Sequence, residues 1–186
     1  MSATTVKSAG ALNVARRWTV RVSAVLSAAA VVVAGLAGSS PASAGTGYRL
    51  VSRISVDREY ALDVLNHDTA NGAPVALWQW NGGPNQYWNI KSITENNQVA
   101  VVQFVNIESG KCLSTDSSGA TLIQQPCDGT EADQLWWVTK TVNGFLTLAQ
   151  RGACLTAGGP VVVNGSAATL EGCDGTPSQE FNVYQL

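Results

Sequence analysis

Tryptophan is concentrated in one short stretch of the sequence, LWQWNGGPNQYW from Leu77 to Trp88, which holds three of the six tryptophans. Asp63 precedes this stretch, and Asn85 and Gln86 lie within it. An exposed indole can stack on the C–H face of a ring-shaped ligand, a carboxylate accepts charge-assisted hydrogen bonds, and an amide both donates and accepts. These residue types suit the recognition of a hydroxyl-rich ligand.

The sequence shows no catalytic constellation. Its single histidine, His67, is next to Asp68, but no serine lies in a nucleophile-elbow context, and HExxH motifs, phosphate-binding loops and metal-ligand spacings are missing. Most acidic residues lie in turns, as Asp128 and Asp174 do, where hydrogen bonding to the backbone explains them. We therefore predict a protein that is not an enzyme and that uses no metal or cofactor.

The N-terminal part has the layout of a secretory signal peptide. A basic region precedes the uncharged apolar run Val22–Gly38, and Ala42-Ser43-Ala44 forms a cleavage pattern. We predict that residues 1–44 are a signal peptide and that the protein is secreted, with no integral membrane contact after cleavage. A membrane anchor is the alternative, and the sequence does not distinguish general export from twin-arginine export.

The charge of the remaining chain argues against nucleic acid as a partner. Removing 44 of 186 residues leaves 142, the length of one domain. The predicted signal peptide contains four of the 11 Lys and Arg residues. The rest of the chain has seven Lys and Arg and 13 Asp and Glu, which gives a net charge of −6. Such a surface repels phosphate groups.

The mature part, residues 45–186, contains a threefold repeat. Two segments, Lys111–Val138 and Ala153–Val183, share the same pattern. Each begins with Cys-Leu and continues with a variable loop, the motif Cys-Asp-Gly-Thr (CDGT) and a Gln-x-aromatic motif. Tyr60–Ile90 is a more diverged copy, in which Ala61 and Trp80 take the cysteine positions. The spacing of about 47 residues predicts repeats at about 48–97, 98–142 and 143–186.

Short β-branched or aromatic runs bounded by Asn-Gly and Asp-Gly turns predict about four strands in each repeat and an all-β domain. The cysteines bracket the variable loops of the second and third copies. We expect disulfides within each copy, Cys112 with Cys127 and Cys154 with Cys173.

The three Gln-x-aromatic motifs, which recur at the same spacing as the two CDGT motifs, resemble the ricin B-type lectin repeat. The resemblance covers residues 48–186. It implies a β-trefoil, a six-stranded barrel capped by three hairpins, with one potential sugar pocket per copy. Phe181 departs from the family, where tryptophan is usual, as does the missing cysteine pair of the first copy.

The resemblance also implies roles for the polar and aromatic residues of the first copy. Asp63 would accept hydrogen bonds from two neighbouring sugar hydroxyls, Asn85 would hold one of that pair, and Gln86 would orient Asp63. Trp78 would form the stacking floor, and Asn66 and His67 would line the rim. The aromatic residues of the Gln-x-aromatic motifs, Trp88, Trp136 and Phe181, are expected in the core. Trp80 is also expected there, where its indole would fill the space that a disulfide takes in the second and third copies.

The second and third copies have Ser114 and Thr156 in place of Asp63, and Gln125 and Glu171 in place of Trp78, so we expect a single working pocket. The resulting prediction is a secreted domain that binds glycans or polysaccharide and favours galactose-like or pentose units. The alternatives are a protein-binding or protease-inhibitory trefoil with a vestigial sugar site, and an accessory module that docks to a secreted hydrolase.

Overall fold

The computed structural model describes residues 47–54, 57–95 and 99–186, so the predicted signal peptide lies outside the described residues. The described residues belong to one compact unit, Ser40–Leu186. Their helical segments are short 3₁₀ turns, none of which has the length and apolar character needed to cross a bilayer. The strands described are β1 Tyr48–Ser52, β2 Tyr60–Val64, β3 Val75–Gln79, β4 Trp88–Glu95, β5 Val99–Asn106, β6 Cys112–Thr115, β7 Leu122–Gln125, β8 Trp136–Lys140, β9 Leu146–Gln150, β10 Ala153–Ala157, β11 Ala168–Gly172 and β12 Phe181–Gln185.

Six strands close into a barrel. Strand β1 pairs with β4, and antiparallel pairing continues through β5, β8 and β9 to β12. The barrel is closed where β12 returns to β1, with a register that runs from Tyr48 opposite Gln185 to Ser52 opposite Phe181. Closure leaves none of these strands with an unpaired edge along the barrel wall.

The other six strands form three hairpins, β2–β3, β6–β7 and β10–β11, which cap one end of the barrel. The hairpins touch one another through isolated bridges, for example Pro74 with Ile123 and Thr121 with Thr169. This is a β-trefoil, which confirms the predicted fold class. Each third of the molecule contributes four strands, two to the barrel and two to the cap.

The aromatic rings of the three Gln-x-aromatic motifs lie at the centre of the core. Trp88, Trp136 and Phe181 are completely buried. The indole N–H of Trp88 donates to the carbonyl of Leu62 and that of Trp136 to the carbonyl of Leu113, both at 3.1 Å. Each bond satisfies a buried polar group and ties a barrel strand to a cap hairpin of the same third.

The glutamines of the same motifs hydrogen-bond to backbone groups at the ends of the hairpins. The Oε1 atom of Gln86 accepts from the backbone N–H of Asn81, and its Nε2 donates to the carbonyl of Gln79. Gln134 and Gln179 make the same pair of contacts at the corresponding positions. A buried amide is therefore satisfied on both sides, and the loop after each hairpin is fixed to the turn before the next barrel strand.

Both predicted disulfides are present. Cys112 bonds to Cys127 and Cys154 to Cys173, with Cα atoms 5.0 Å apart in each pair. Each closes the variable loop of its own repeat, so the pairing within copies is confirmed.

The expectation that Trp80 belongs to the core is wrong. Its indole is only half-buried, packs edge-on against Tyr87 with ring centroids 4.8 Å apart, and carries the guanidinium of Arg49 at 4.6 Å from its centroid. Arg49 is paired in turn with Glu59, whose carbonyl accepts from the backbone N–H of Trp80. The ring therefore packs between a cation on its face and a neighbouring ring at its edge, outside the core.

Candidate functional site

The β2–β3 hairpin builds the candidate site because its two faces differ. Leu62 and Leu77 are paired and face the core. On the opposite face Asp63 is paired with Ala76, and Ala61 with Trp78. Directly opposed residues share a face of a sheet, so Asp63 and Trp78 are diagonal neighbours on the outer side. The two alanines leave room between them.

A pocket of about 210 Å³ opens over this face. Trp78 is 36% exposed, while Asp63 is only 3% exposed and forms the polar floor of the pocket. The pocket is lined by Asp63, Asn66, His67, Trp78, Asn81 and Asn85. Five of the six residues assigned to the site from the sequence are therefore brought together, and the sixth, Gln86, lies completely buried behind them.

The carboxylate of Asp63 has an unusual environment. Burial raises its pKa from 3.8 to about 6, although the amides of Gln86 and Asn85 and the imidazole of His67 act in the opposite direction. A partly desolvated carboxylate gains more free energy from hydrogen bonds to a ligand than an exposed carboxylate does. The group is thus poised to accept hydrogen bonds from a ligand that enters the pocket.

The rim residues Asn66 and His67 have left-handed backbone conformations, with φ of 60° and 54°. Such conformations are uncommon outside glycine and are retained where surrounding contacts hold them. Here the N–H of Asp68 donates to the carbonyl of Leu65, and the Nδ1 atom of His67 lies 3.0 Å from the carboxylate of Glu108. The contact with Glu108 links the pocket rim to the turn after β5.

Asn85 is already partly engaged. Its Nδ2 donates to the carbonyl of Val64 at 3.0 Å, whereas its Oδ1 is buried and accepts no hydrogen bond. An amide nitrogen carries two N–H groups, and the contact with Val64 uses one of them. Asn85 therefore fixes the end of β2, and its amide also hydrogen-bonds the carboxylate of Asp63.

Three contributors were not identified from the sequence as site residues: Asn81, Gly83 and Glu108. Asn81 lines the pocket, and its Oδ1 accepts from the N–H of Gly83 at 2.8 Å. A side chain at Gly83 would collide with the amides of Asn81 and Asn85. The Asn81-Gly82 pair signalled only a turn. Nothing in the sequence connects Glu108 to His67, which lies 41 residues earlier in the chain.

The other two hairpins have the same geometry without the same chemistry. The register places Ser114 and Thr156 where Asp63 lies, and Gln125 and Glu171 where Trp78 lies. The hydroxyl of Ser114 donates to the carbonyl of Thr115, and that of Thr156 to the carbonyl of Cys154, so both are engaged internally. Neither hairpin presents a stacking ring or a buried carboxylate.

Two family models match the sequence. The ricin-type β-trefoil lectin domain matches residues 100–185, and the ricin-type β-trefoil lectin domain-like model matches residues 15–113. Comparison with curated protein sequences gave no match.

Solved structures with the same fold include a designed protein, a lectin and an enzyme. The designed threefold-symmetric protein ThreeFoil matches with a TM-score of 0.67 and 27% identity over 75% of this chain and 99% of its own. The C-half of the earthworm R-type lectin, solved with GalNAc, matches with a TM-score of 0.55 and 20% identity, covering 76% and 99%.

The exo-β-1,3-galactanase of Clostridium thermocellum matches with a TM-score of 0.66 and 23% identity over 78% of this chain, which spans only 31% of that enzyme. At these identities the two natural proteins show the fold alone. The family models together cover the described barrel and all three hairpins. The chain therefore belongs to the ricin-type β-trefoil lectin family.

Proposed function

We propose that the protein is a secreted carbohydrate-binding domain with one working sugar pocket, in its first repeat. Family membership supports carbohydrate binding in general and a domain that is not itself catalytic. The observation that carries the finer proposal is the placement of a buried carboxylate, Asp63, beside an exposed indole, Trp78, in one pocket.

The chemistry of the pocket fits one sugar residue. The carboxylate of Asp63 accepts hydrogen bonds from two adjacent hydroxyls, and Asn85 donates to one of the same pair. The C–H face of the sugar ring stacks on Trp78. Asn66, His67 and Asn81 line the rim, where they are placed to contact the remaining hydroxyls. Gln86 orients Asp63 from behind through a side-chain hydrogen bond, and it also fixes the loop that carries Asn81.

Galactose-like or pentose units are the sugars we favour. Two proteins with this fold are associated with galactose-type sugars by name: the earthworm lectin was solved with GalNAc, and the bacterial enzyme is a galactanase. Their identity to this chain is low, so they indicate which sugars to test first.

Secretion and an extracellular target complete the proposal. Two disulfides are typical of proteins from oxidising compartments. The acidic mature chain disfavours nucleic acid and suits neutral glycans or polysaccharide. Docking to a secreted hydrolase would place such a module on the enzyme's substrate.

A single shallow pocket implies weak binding. We expect a dissociation constant of about 1 mM, or about −4 kcal/mol, for a monosaccharide. With one site per chain, a monomer would not cross-link glycans, and strong attachment would need several copies.

Calorimetric titration with galactose, arabinose and xylose, guided by a glycan array, tests the proposal. Trp78→Ala and Asp63→Ala should each weaken binding by at least about tenfold, or about 1.4 kcal/mol. Glu171→Ala, at the position equivalent to Trp78 in the third repeat, is the matched control and should have no effect. No response across the array, together with inhibition of a protease, would favour the protein-binding alternative.

A further inference from the structure

The chain directly after the pocket rim is tied to the second repeat by hydrogen bonds. The Nε2 atom of Gln124 donates to the carbonyls of Asp68 and Ala70, at 2.7 and 3.1 Å. The Nζ atom of Lys111 donates to the carbonyl of Thr69 at 2.7 Å. The second repeat therefore fixes backbone that belongs to the rim of a pocket in the first repeat.

The turn after β5, which carries Glu108, is anchored to the same pocket by a buried amide. The Nδ2 atom of Asn106 donates to the carbonyls of Asn85 and Tyr87, at 3.0 and 3.3 Å. Its Oδ1 accepts from the N–H groups of Glu108 and Ser109, at 3.1 and 3.2 Å. Asn106 is 1% exposed, so both sets of bonds are shielded from water. One side chain thus connects the backbone of a pocket residue to that of Glu108.

From this turn the carboxylate of Glu108 reaches one nitrogen of the His67 ring. The Nδ1 atom lies 3.1 and 3.0 Å from the two carboxylate oxygens. An ionised carboxylate only accepts hydrogen bonds, so Nδ1 carries the hydrogen of this contact. The ring lines the pocket with Asp63, and its Cε1 would lie 3.2 Å from a Cβ atom at Gly83. The ring nitrogen left for a ligand is Nε2, which is an acceptor when the ring is neutral.

The contact between Glu108 and His67 is too exposed to contribute much to stability. The side chain of His67 is 51% exposed and that of Glu108 is 26% exposed, and such pairs contribute at most about 1 kcal/mol. Its effect on the ring is larger, because the hydrogen bond at one nitrogen of an imidazole sets which nitrogen carries the hydrogen. The left-handed backbone of Asn66 and His67 places the ring at the rim, and backbone strain of this kind is concentrated at binding sites.

We propose that Glu108 is a positioning residue of the sugar pocket, which holds the His67 ring with its hydrogen on Nδ1 so that Nε2 accepts a hydrogen bond from a sugar hydroxyl. This inference rests on the proposed function. Asp63 accepts from two hydroxyls at the floor of the pocket, and His67 accepts from a hydroxyl at the rim. The second repeat then contributes to sugar recognition through a residue that does not itself touch the sugar.

The state of the ring can be measured directly, because His67 is the single histidine of the chain. Long-range ¹H–¹⁵N spectra of the full protein at about pH 8.5, where an imidazole of ordinary pKa is neutral, report which nitrogen carries the hydrogen. The wild type should carry it on Nδ1, and Glu108→Ala should move a large part of the population to Nε2. A wild-type ring with its hydrogen on Nε2, or the same tautomer in both proteins, would overturn the proposal.

Calorimetric titration with galactose, arabinose and xylose measures the consequence for binding. For the sugar that binds, Glu108→Ala should weaken binding about fivefold. His67→Gly suits the left-handed backbone and removes the ring, so adding Glu108→Ala to it should weaken binding no further. Glu131→Ala is the matched control, because Glu131 is an exposed acid in the loop between β7 and β8, and it should bind like the wild type.

The outcomes separate this role from the proposed function. Full affinity in Glu108→Ala, or a further loss when that change is added to His67→Gly, would overturn the positioning role and leave the sugar pocket standing. Failure of all three sugars to bind the wild type would refute the proposed function and the positioning role together.

Discussion

Replacing Asp63 by asparagine should stabilise the ligand-free protein at neutral pH, while it removes the charge and one of the two acceptor oxygens needed for sugar binding. Burial raises the pKa of Asp63 from 3.8 to about 6. A carboxyl whose pKa is higher in the folded state favours folding at low pH, and this contribution is lost as the pH rises through the folded pKa. Above about pH 6 the buried charge therefore opposes folding, and asparagine has nearly the same shape without the charge.

The expected size of the effect follows from the pKa. A rise from 3.8 to about 6 corresponds to about 3 kcal/mol of folding free energy at pH 7 in a fully dry site. One side of the carboxylate faces the open pocket, where water screens its charge, so we expect a gain of about 1–2 kcal/mol for Asp63→Asn. The gain should approach zero near pH 3.5, where the carboxyl is mostly protonated in both the folded and unfolded states.

Denaturant unfolding, followed by tryptophan fluorescence at pH 7, 5.5 and 3.5, measures this gain. Asp116→Asn is the control of opposite sign, because hydrogen bonds from Ser118 and from the backbone of its loop lower the pKa of Asp116. That variant should be less stable than the wild type at neutral pH, and the difference should be lost as the pH falls. A gain for Asp63→Asn that is absent at pH 7, or equal at all three pH values, would contradict the reasoning.

Three further predictions follow from the same geometry. Sugar binding should weaken about tenfold between pH 7 and pH 5, because protonation of Asp63 near pH 6 removes its acceptor charge; calorimetry at each pH measures this, and a flat profile would exclude the carboxylate as the main contact. Replacing Cys154 and Cys173 together by serine should lower the free energy of unfolding by about 3 kcal/mol, since a loop of 19 residues is released; denaturant unfolding measures it, and an unchanged midpoint would contradict it. Gly83→Ala should reduce stability by about 1–3 kcal/mol and abolish sugar binding, because the added methyl group would collide with the amide of Asn85; an intact pocket in titration would refute this.

The fold could be predicted because its determinants recur in the sequence. Each Gln-x-aromatic motif marks a buried ring and a glutamine that hydrogen-bonds to the loop backbone, as at Trp88 and Gln86. The CDGT motifs mark the cysteines whose disulfides close the variable loops. Three repetitions of one local pattern specify strand count and disulfide pairing better than any single segment can.

The site could be predicted only where it follows the hairpin. Asp63 and Trp78 share a face because strand alternation and register are set by the buried leucines between them. The direction of the Trp80 ring depends on Arg49, which lies 31 residues earlier in the chain, and the rim contact of Glu108 depends on how the first turn of the next repeat folds back. Such contacts are products of tertiary packing, so spacing alone does not reveal them.

The most direct test of the central claim is an NMR titration that follows the indole and backbone N–H resonances. Wild-type protein is titrated with galactose, arabinose and xylose, and the Trp78 signal is assigned by its loss in Trp78→Phe. The account predicts that one of these sugars shifts the Trp78 resonance, while those of Trp88 and Trp136 stay in place because their N–H groups are bonded inside the core. Saturating sugar that leaves Trp78 unmoved, or that shifts residues around Gln125 or Glu171 instead, would contradict a single sugar pocket in the first repeat.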